Sequence, residues 1–189
     1  MNRREALSRV AWLMGGTVIG ANLFLEGCTR TASKDVASLF EPDQMDYLGD
    51  IAETILPKTS SPGAKEAGVG EFMPVMVRDC YTEDDQKVFL EGLGKLEDAS
   101  KKKYNKKFQE LSPEERTALL TEIDKEAKTY KSSKKDEDPE HYFSMLKQLT
   151  LLGFFTSELG ATKALRYVLI PGRYDGNLPY KKGDKAWAT

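Results

Sequence analysis

Apolar residues recur at spacings of three and four along most of the chain beyond residue 39, and this periodicity dominates the fold prediction. Such spacing puts apolar side chains on one face of an α-helix, whereas a half-buried strand would alternate every second residue. The first stretch predicts a helix over residues 42–56, which Pro57 ends. A Gly- and Pro-rich loop over residues 58–70 and a short helix over residues 70–80 follow.

The rest of the chain contains several sequence patterns that predict where helices begin. Thr82 and Asp85 form a loose capping box, in which the hydroxyl accepts the amide three residues on. Residues 112–115, Ser-Pro-Glu-Glu, form a complete box with proline in the first turn. Residues 138–139, Asp-Pro, repeat the cap-plus-proline signature. They predict a helix of about twenty residues that Gly160 terminates.

This last helix carries apolar residues on more than one face between Leu149 and Phe155. A helix that is apolar all round is normally the buried centre of a bundle, and the apolar stretch is too short to cross a bilayer. We therefore predict an all-α fold, a small helical bundle of about five to six helices. Beyond Tyr167, pairs such as Pro-Gly and Asp-Gly exclude long regular structure, so the chain is expected to end in an irregular, aromatic-rich C-terminal arm.

The first 27 residues predict an export signal. Arg3 and Arg4 precede an uncharged run over residues 10–25, which is short for a spanning helix but typical of a signal peptide. Together with Leu7, the arginine pair resembles a twin-arginine signal, and the general secretory route is the alternative. Cys28 resembles the lipidated first residue of a mature bacterial lipoprotein; the alternative is an uncleaved N-terminal anchor. Either way, we expect the domain on the periplasmic side of a bacterial membrane.

These features divide the chain into an export signal (1–27), a flexible tether (28–38) and a single helical domain (39–189), whose arm begins at about residue 168. One domain suits a chain of 189 residues. The formal net charge of −2 argues against a nucleic-acid partner, because nucleic-acid binders normally carry a strong basic excess.

The chain has few residues suited to metal or redox chemistry. Two cysteines and one histidine exclude a c-type haem attachment motif and a usual four-ligand zinc site. Cys80 lies in an apolar segment and is expected to be a buried small residue, and His141 is its only conceivable catalytic partner. We predict no catalytic, cofactor-binding or metal-binding residue in this chain.

Aromatic and basic side chains alternate along the arm. Aromatic residues and arginine are enriched in protein interfaces. The arm therefore supplies the candidate partner contacts, which are Tyr167, Arg173, Tyr174, Tyr180 and Trp187. The alternative is that the arm wraps around its own bundle and uses the aromatic rings as clamps.

Two blocks of the sequence resemble the gluconate 2-dehydrogenase subunit 3 family. The C-terminal block reads LTLLGFFTSELGAT over residues 149–162, then LRY at 165–167 and PGRYDG at 171–176. The N-terminal block reads AETILP over residues 52–57 and PGAKEAGV over 62–69. The resemblance extends over nearly the whole domain, from about Phe40 to Trp187.

The resemblance implies a non-catalytic small subunit of a membrane-associated dehydrogenase. In such complexes a flavoprotein of the glucose-methanol-choline type oxidises a sugar or sugar acid, and a c-type cytochrome accepts the electrons. FAD and c-type haem are therefore expected in the partner subunits and no cofactor in this chain. We expect this subunit to assist export, assembly and membrane attachment of the flavoprotein, with residues 72–81 as a further candidate contact.

Two other functions stay open at the level of sequence. One is a free-standing lipoprotein that binds a ligand. The other is an independent carbohydrate-active enzyme that uses two carboxylates as acid and base, chosen among Glu53, Glu71, Asp79 and Glu158.

Overall fold

The fold is all-α, as predicted. A computed structural model describes residues 34–170, 172–173 and 175–188; the predicted leader, with Arg3, Arg4, Leu7 and Cys28, lies outside this part of the chain. Six α-helices occur within it: α1 (Lys34–Ala37), α2 (Pro42–Ile55), α3 (Val69–Cys80), α4 (Glu83–Tyr104), α5 (Pro113–Ser133) and α6 (Tyr142–Thr156). Two 3₁₀ turns (Ser38–Phe40, Phe108–Glu110) and a π-helical turn (Gly160–Ala164) complete the helical elements.

The predicted starts of α4 and α5 are confirmed. The Thr82 hydroxyl accepts the Asp85 amide at 3.2 Å. At α5, the Ser112 hydroxyl accepts the Glu115 amide at 3.3 Å, and the Glu115 carboxylate accepts the Ser112 amide at 2.9 Å. Both helices thus begin where a side chain satisfies a backbone amide that has no partner inside the helix.

The predicted limits of α6 are wrong at both ends. Asp138 instead closes a turn, because its carboxylate accepts the Lys135 amide at 2.8 Å, and His141 caps α6. At the other end α6 stops at Thr156, and Ser157 adopts an extended conformation. Gly160 is needed for close packing and has no left-handed φ: a Cβ there would lie 1.8 Å from the Phe154 carbonyl oxygen.

The core forms around α6, which contacts each of the helices α2, α3, α4 and α5. Apolar side chains from all five helices are buried there, among them Leu48, Ile51, Met73, Val77, Phe89, Leu96, Leu120, Ile123, Leu146, Leu149 and Phe154. One buried polar group ties α4 to the end of α3. The Gln86 side-chain amide donates to the Val77 carbonyl at 3.0 Å and to the Tyr81 carbonyl at 3.2 Å. Within the described residues, no helix combines the length and apolarity needed to cross a membrane.

The packed fold begins earlier than the predicted boundary at residue 39. Residues 34–38 belong to the predicted tether, but α1 is helical and Val36 is fully buried. Leu39 in the following 3₁₀ turn is also buried. A short polar sequence with one well-placed valine can therefore dock on the bundle although its own helical signal is weak.

Candidate functional site

The C-terminal half of α6 presents an exposed apolar face. Leu151, Leu152 and Phe155 are 42%, 45% and 41% exposed. Because helical residues three and four positions apart share a face, these three side chains lie together on the helix surface. We call this set the α6 face.

The exposed α6 face corrects the prediction that this segment is buried all round. Leu149, Thr150, Gly153 and Phe154 point into the core, whereas the α6 face points to solvent. The second apolar side of the helix is therefore available for contact with another molecule. The sequence signal for this face is the excess of apolar residues around the helix, which by itself predicts burial.

Helix α3 packs directly beside this region. The Phe72 ring lies so close to Gly153 that a Cβ there would come within 2.7 Å of it. One turn further along α3, Val75 is 40% exposed. The structure thus leaves part of the predicted contact segment, residues 72–81, apolar and accessible.

The base of the C-terminal arm is fastened next to α6. Residues Arg166–Tyr167 (β1) and Trp187–Ala188 (β2) pair as two short parallel strands, and the Arg166 guanidinium lies 4.6 Å from the centre of the Trp187 ring. The Lys185 ammonium also donates to the Lys163 carbonyl. The arm therefore leaves the bundle and returns to its own starting point.

The structure places the predicted arm contacts in solvent. Tyr167, Tyr180 and Trp187 are 45%, 77% and 52% exposed, and the Arg173 side chain is 85% exposed. Tyr174 lies outside the described residues. Tyr167 and Trp187 lie on the two paired strands, where Tyr167 is opposite Ala188 and Trp187 is opposite Arg166. Sequence reasoning missed Leu169 and Ile170, which are 73% and 78% exposed.

Glu53 organises the loop that carries the N-terminal motif. Its two carboxylate oxygens accept the backbone amides of Lys58 at 2.9 Å and Lys65 at 3.0 Å. A Cβ on Gly63 would lie 2.2 Å from this carboxylate, so only glycine leaves room for it. The N-terminal motif therefore has a structural explanation, because its loop closes over the Glu53 carboxylate. We call this carboxylate and the two amides that it accepts the Glu53 clamp.

Among the described residues, the structure identifies no acid–base pair between Glu53 and another of the acidic candidates. Asp79 accepts two hydrogen bonds from the neighbouring Arg78 guanidinium, at 2.6 and 2.9 Å. Glu71 lies eight residues before it on α3, about 12 Å along the helix axis. Glu158 follows the end of α6 and is exposed. Among the described residues, no group of three or more His, Cys, Asp or Glu side chains could hold a metal ion.

Cys80 and His141 have separate surroundings. Cys80 is exposed at the end of α3, which corrects the prediction of a buried thiol. His141 Nδ1 accepts the Phe143 amide at 3.2 Å, and partial burial between two tyrosine rings lowers the pKa of the imidazole. The histidine therefore acts as a neutral helix cap.

A groove of about 790 Å³ lies between α2 and α4. Tyr47 lines it and is only 8% exposed, and its hydroxyl has no hydrogen-bond partner among the described residues. Burial, with Glu97 nearby, raises the pKa of this phenol. Carboxylates from both helices line the groove, together with Lys101 of α4 and Lys107 beyond its end, and one buried hydroxyl lies at its wall.

Comparison with protein families gives a match that covers most of the chain. The model for gluconate 2-dehydrogenase subunit 3 matches residues 42–172. Comparisons with curated proteins and with solved structures give no match. The matched span begins at α2 and includes the Glu53 clamp and the α6 face; most of the arm follows it.

Proposed function

Because the chain belongs to the gluconate 2-dehydrogenase subunit 3 family, and is therefore part of a dehydrogenase complex, we propose that it is the non-catalytic small subunit. The complex is a membrane-attached, FAD-dependent dehydrogenase of sugars or sugar acids. In this proposal the flavoprotein of the glucose-methanol-choline type carries FAD and oxidises the substrate. A c-type cytochrome takes up the electrons, and the present chain assists export, assembly and membrane attachment.

The α6 face is the observation that carries the proposal. Three large apolar side chains, together with Val75 on α3, stay in water when the chain is alone. Burying them against a partner is favourable by about 25 cal/mol for each Å² of apolar surface removed from water. The α6 face and Val75 lie inside the matched span, as expected for a surface that serves the family's shared role.

We propose that the flavoprotein docks on the α6 face. Co-purification of the flavoprotein with variants of this chain tests the assignment. Leu152→Glu puts a charge in the centre of the docking surface and is expected to weaken the complex at least tenfold, since an uncompensated buried charge is costly. Thr129→Glu on α5 is the matched control, because it adds the same charge to an exposed position on another helix. Equal recovery of flavoprotein with both variants would refute the assignment.

Export and attachment depend on residues outside the described part of the chain. A flavoprotein that has bound FAD is folded, and a folded passenger needs the twin-arginine route. We propose that Arg3, Arg4 and Leu7 direct the pair across the membrane and that an acylated Cys28 holds it there. Changing Arg3 and Arg4 to lysine should leave the flavoprotein in the cytoplasmic fraction; normal export of the flavoprotein would contradict the escort role.

The groove beside Tyr47 favours a second candidate function, a free-standing lipoprotein that binds a polar ligand. A buried hydroxyl without a partner is the kind of group that a ligand satisfies. Purification from native membranes separates the two candidates. A stoichiometric flavoprotein supports the subunit, whereas recovery of the chain alone, with Tyr47→Phe reducing ligand binding, supports the lipoprotein.

A further inference from the structure

The C-terminal arm differs in charge from the rest of the protein. Between Lys163 and Lys185 the arm and its base together carry six cationic and two acidic side chains, although the whole chain has a formal net charge of −2. Every described residue from 175 to 187 is exposed. Large apolar side chains are exposed among these cations: Leu169, Ile170, Leu178, Tyr180 and Trp187.

The arm is a loop with a fixed base and two internal turns. The β1–β2 pairing joins its ends. Asp184 closes one turn, because its carboxylate accepts the Lys181 amide at 3.0 Å. Asp175 closes another by accepting the Asn177 amide at 3.1 Å. Both acidic residues of the arm therefore hold its own backbone, and Asp175 also lies 3.8 Å from the Arg173 guanidinium. Lys181 and Lys182, with the most exposed apolar side chains, remain open to solvent.

We propose that the C-terminal arm docks on an anionic lipid surface. Apolar side chains that project from a loop can enter the acyl boundary, while tyrosine and tryptophan lie at the headgroup level. Lysine and arginine beside them reach the lipid phosphates, each favouring binding about fivefold. The arm offers this combination on its exposed surface.

The arm's shape and its place in the chain favour lipid over a protein partner. A protein interface usually buries its aromatic anchors in fitted pockets, whereas Ile170 and Tyr180 are nearly four-fifths exposed on a loop. The matched family span stops at residue 172, and four cationic residues of the arm follow it: Arg173, Lys181, Lys182 and Lys185. Docking of the arm on lipid is independent of the flavoprotein contact at the α6 face.

The experiment uses the full chain with Trp12→Phe, which leaves Trp187 as the single tryptophan. It is reconstituted into vesicles of phosphatidylcholine alone or mixed with phosphatidylglycerol, both with brominated acyl chains that quench nearby tryptophan. We expect strong quenching of Trp187 only with phosphatidylglycerol. The N-terminal segment is the same in every sample, so the difference between vesicles reports the arm.

Two sets of variants test the chemistry. Changing Arg173, Lys181 and Lys182 to glutamine should lower the ratio of docked to free arm roughly a hundredfold at low salt. Leu169→Ser with Ile170→Ser should lower it at least tenfold. The charge-matched control changes three exposed lysines on α4 and α5, namely Lys102, Lys125 and Lys131, and should leave quenching intact.

Several results would overturn the proposal. These are equal quenching with both lipids, quenching that survives both sets of arm variants, and absence of quenching in every vesicle. If Trp187 responds only when purified flavoprotein is added, the arm docks on protein instead. Leu152→Glu separates the two hypotheses, since it should release the flavoprotein and leave vesicle quenching unchanged.

Discussion

Replacing Glu53 tests whether the family-like N-terminal motif builds the fold or performs chemistry. In Glu53→Ala the amides of Lys58 and Lys65 lose their acceptor, which lies 2.9 and 3.0 Å away. A hydrogen bond to a charged group contributes about 1.5–3 kcal/mol when buried, and we take about 1 kcal/mol for each in this half-exposed setting. The free energy of unfolding should therefore fall by about 2 kcal/mol.

The assay is urea unfolding followed by circular dichroism, with thermal unfolding alongside. For a domain of this size, 2 kcal/mol corresponds to a fall in Tm of about 4–8 °C. Glu66→Ala is the matched control, because Glu66 lies in the same loop but forms an exposed ion pair with Lys58. Its midpoint should hardly change.

A double-mutant cycle makes the reasoning specific to the clamp. Gly63→Ala would place a Cβ 2.2 Å from the Glu53 carboxylate and displace it, so this change should cost about as much as Glu53→Ala. The double variant should then cost little more than either single one. Additive losses, or an unchanged midpoint in Glu53→Ala, would refute the clamp and return Glu53 to the candidates for acid–base catalysis.

Three further predictions concern single positions. The lowered pKa of His141 means that its stabilising contribution is present above about pH 6.5 and is lost as the pH falls through the folded value. Urea midpoints should therefore fall less on acidification in His141→Asn than in the parent chain. In a Cys28→Ser chain, the native Cys80 thiol should react with a maleimide about as fast as a denatured one, and the further change Cys80→Ser should abolish the label. Gly160→Ala should cost about 2 kcal/mol or more in thermal unfolding, because backbone atoms block the new Cβ, whereas Gly94→Ala, with open space around it, should be stabilising.

Local signals in the sequence predicted the helices well, because caps act within a few residues. Ser112 and Thr82 each cap a helix whose start is set by one hydroxyl and one amide nearby. Asp138 misled the prediction, since it had a competing partner in the Lys135 amide. A cap signature indicates that a side chain can accept a hydrogen bond from a backbone amide. The conformation of the surrounding turn determines which amide donates that bond.

The candidate site depends on contacts between distant residues and was predicted only in part. The spacing around α6 showed that the helix is apolar, but the packing of α3 and the other helices decided which side stays exposed. The exposure of Cys80 has the same origin, because its segment is apolar on both sides and only one side faces the core. The pairing of Arg166 with Trp187 joins residues 21 positions apart in a two-residue ladder, which no local pattern predicts.

The sharp bend after α6 sets the orientation of the C-terminal arm relative to that helix. Ser157 turns the chain with an extended backbone, and its hydroxyl accepts the Gly160 amide at 3.0 Å to restart helical structure in a new direction. The α6 face ends at Phe155 just before this bend, and the base of the arm follows within about ten residues. If both surfaces act as proposed, the angle at Ser157 fixes how the flavoprotein is tilted over the bilayer, and thus which way its substrate entrance faces.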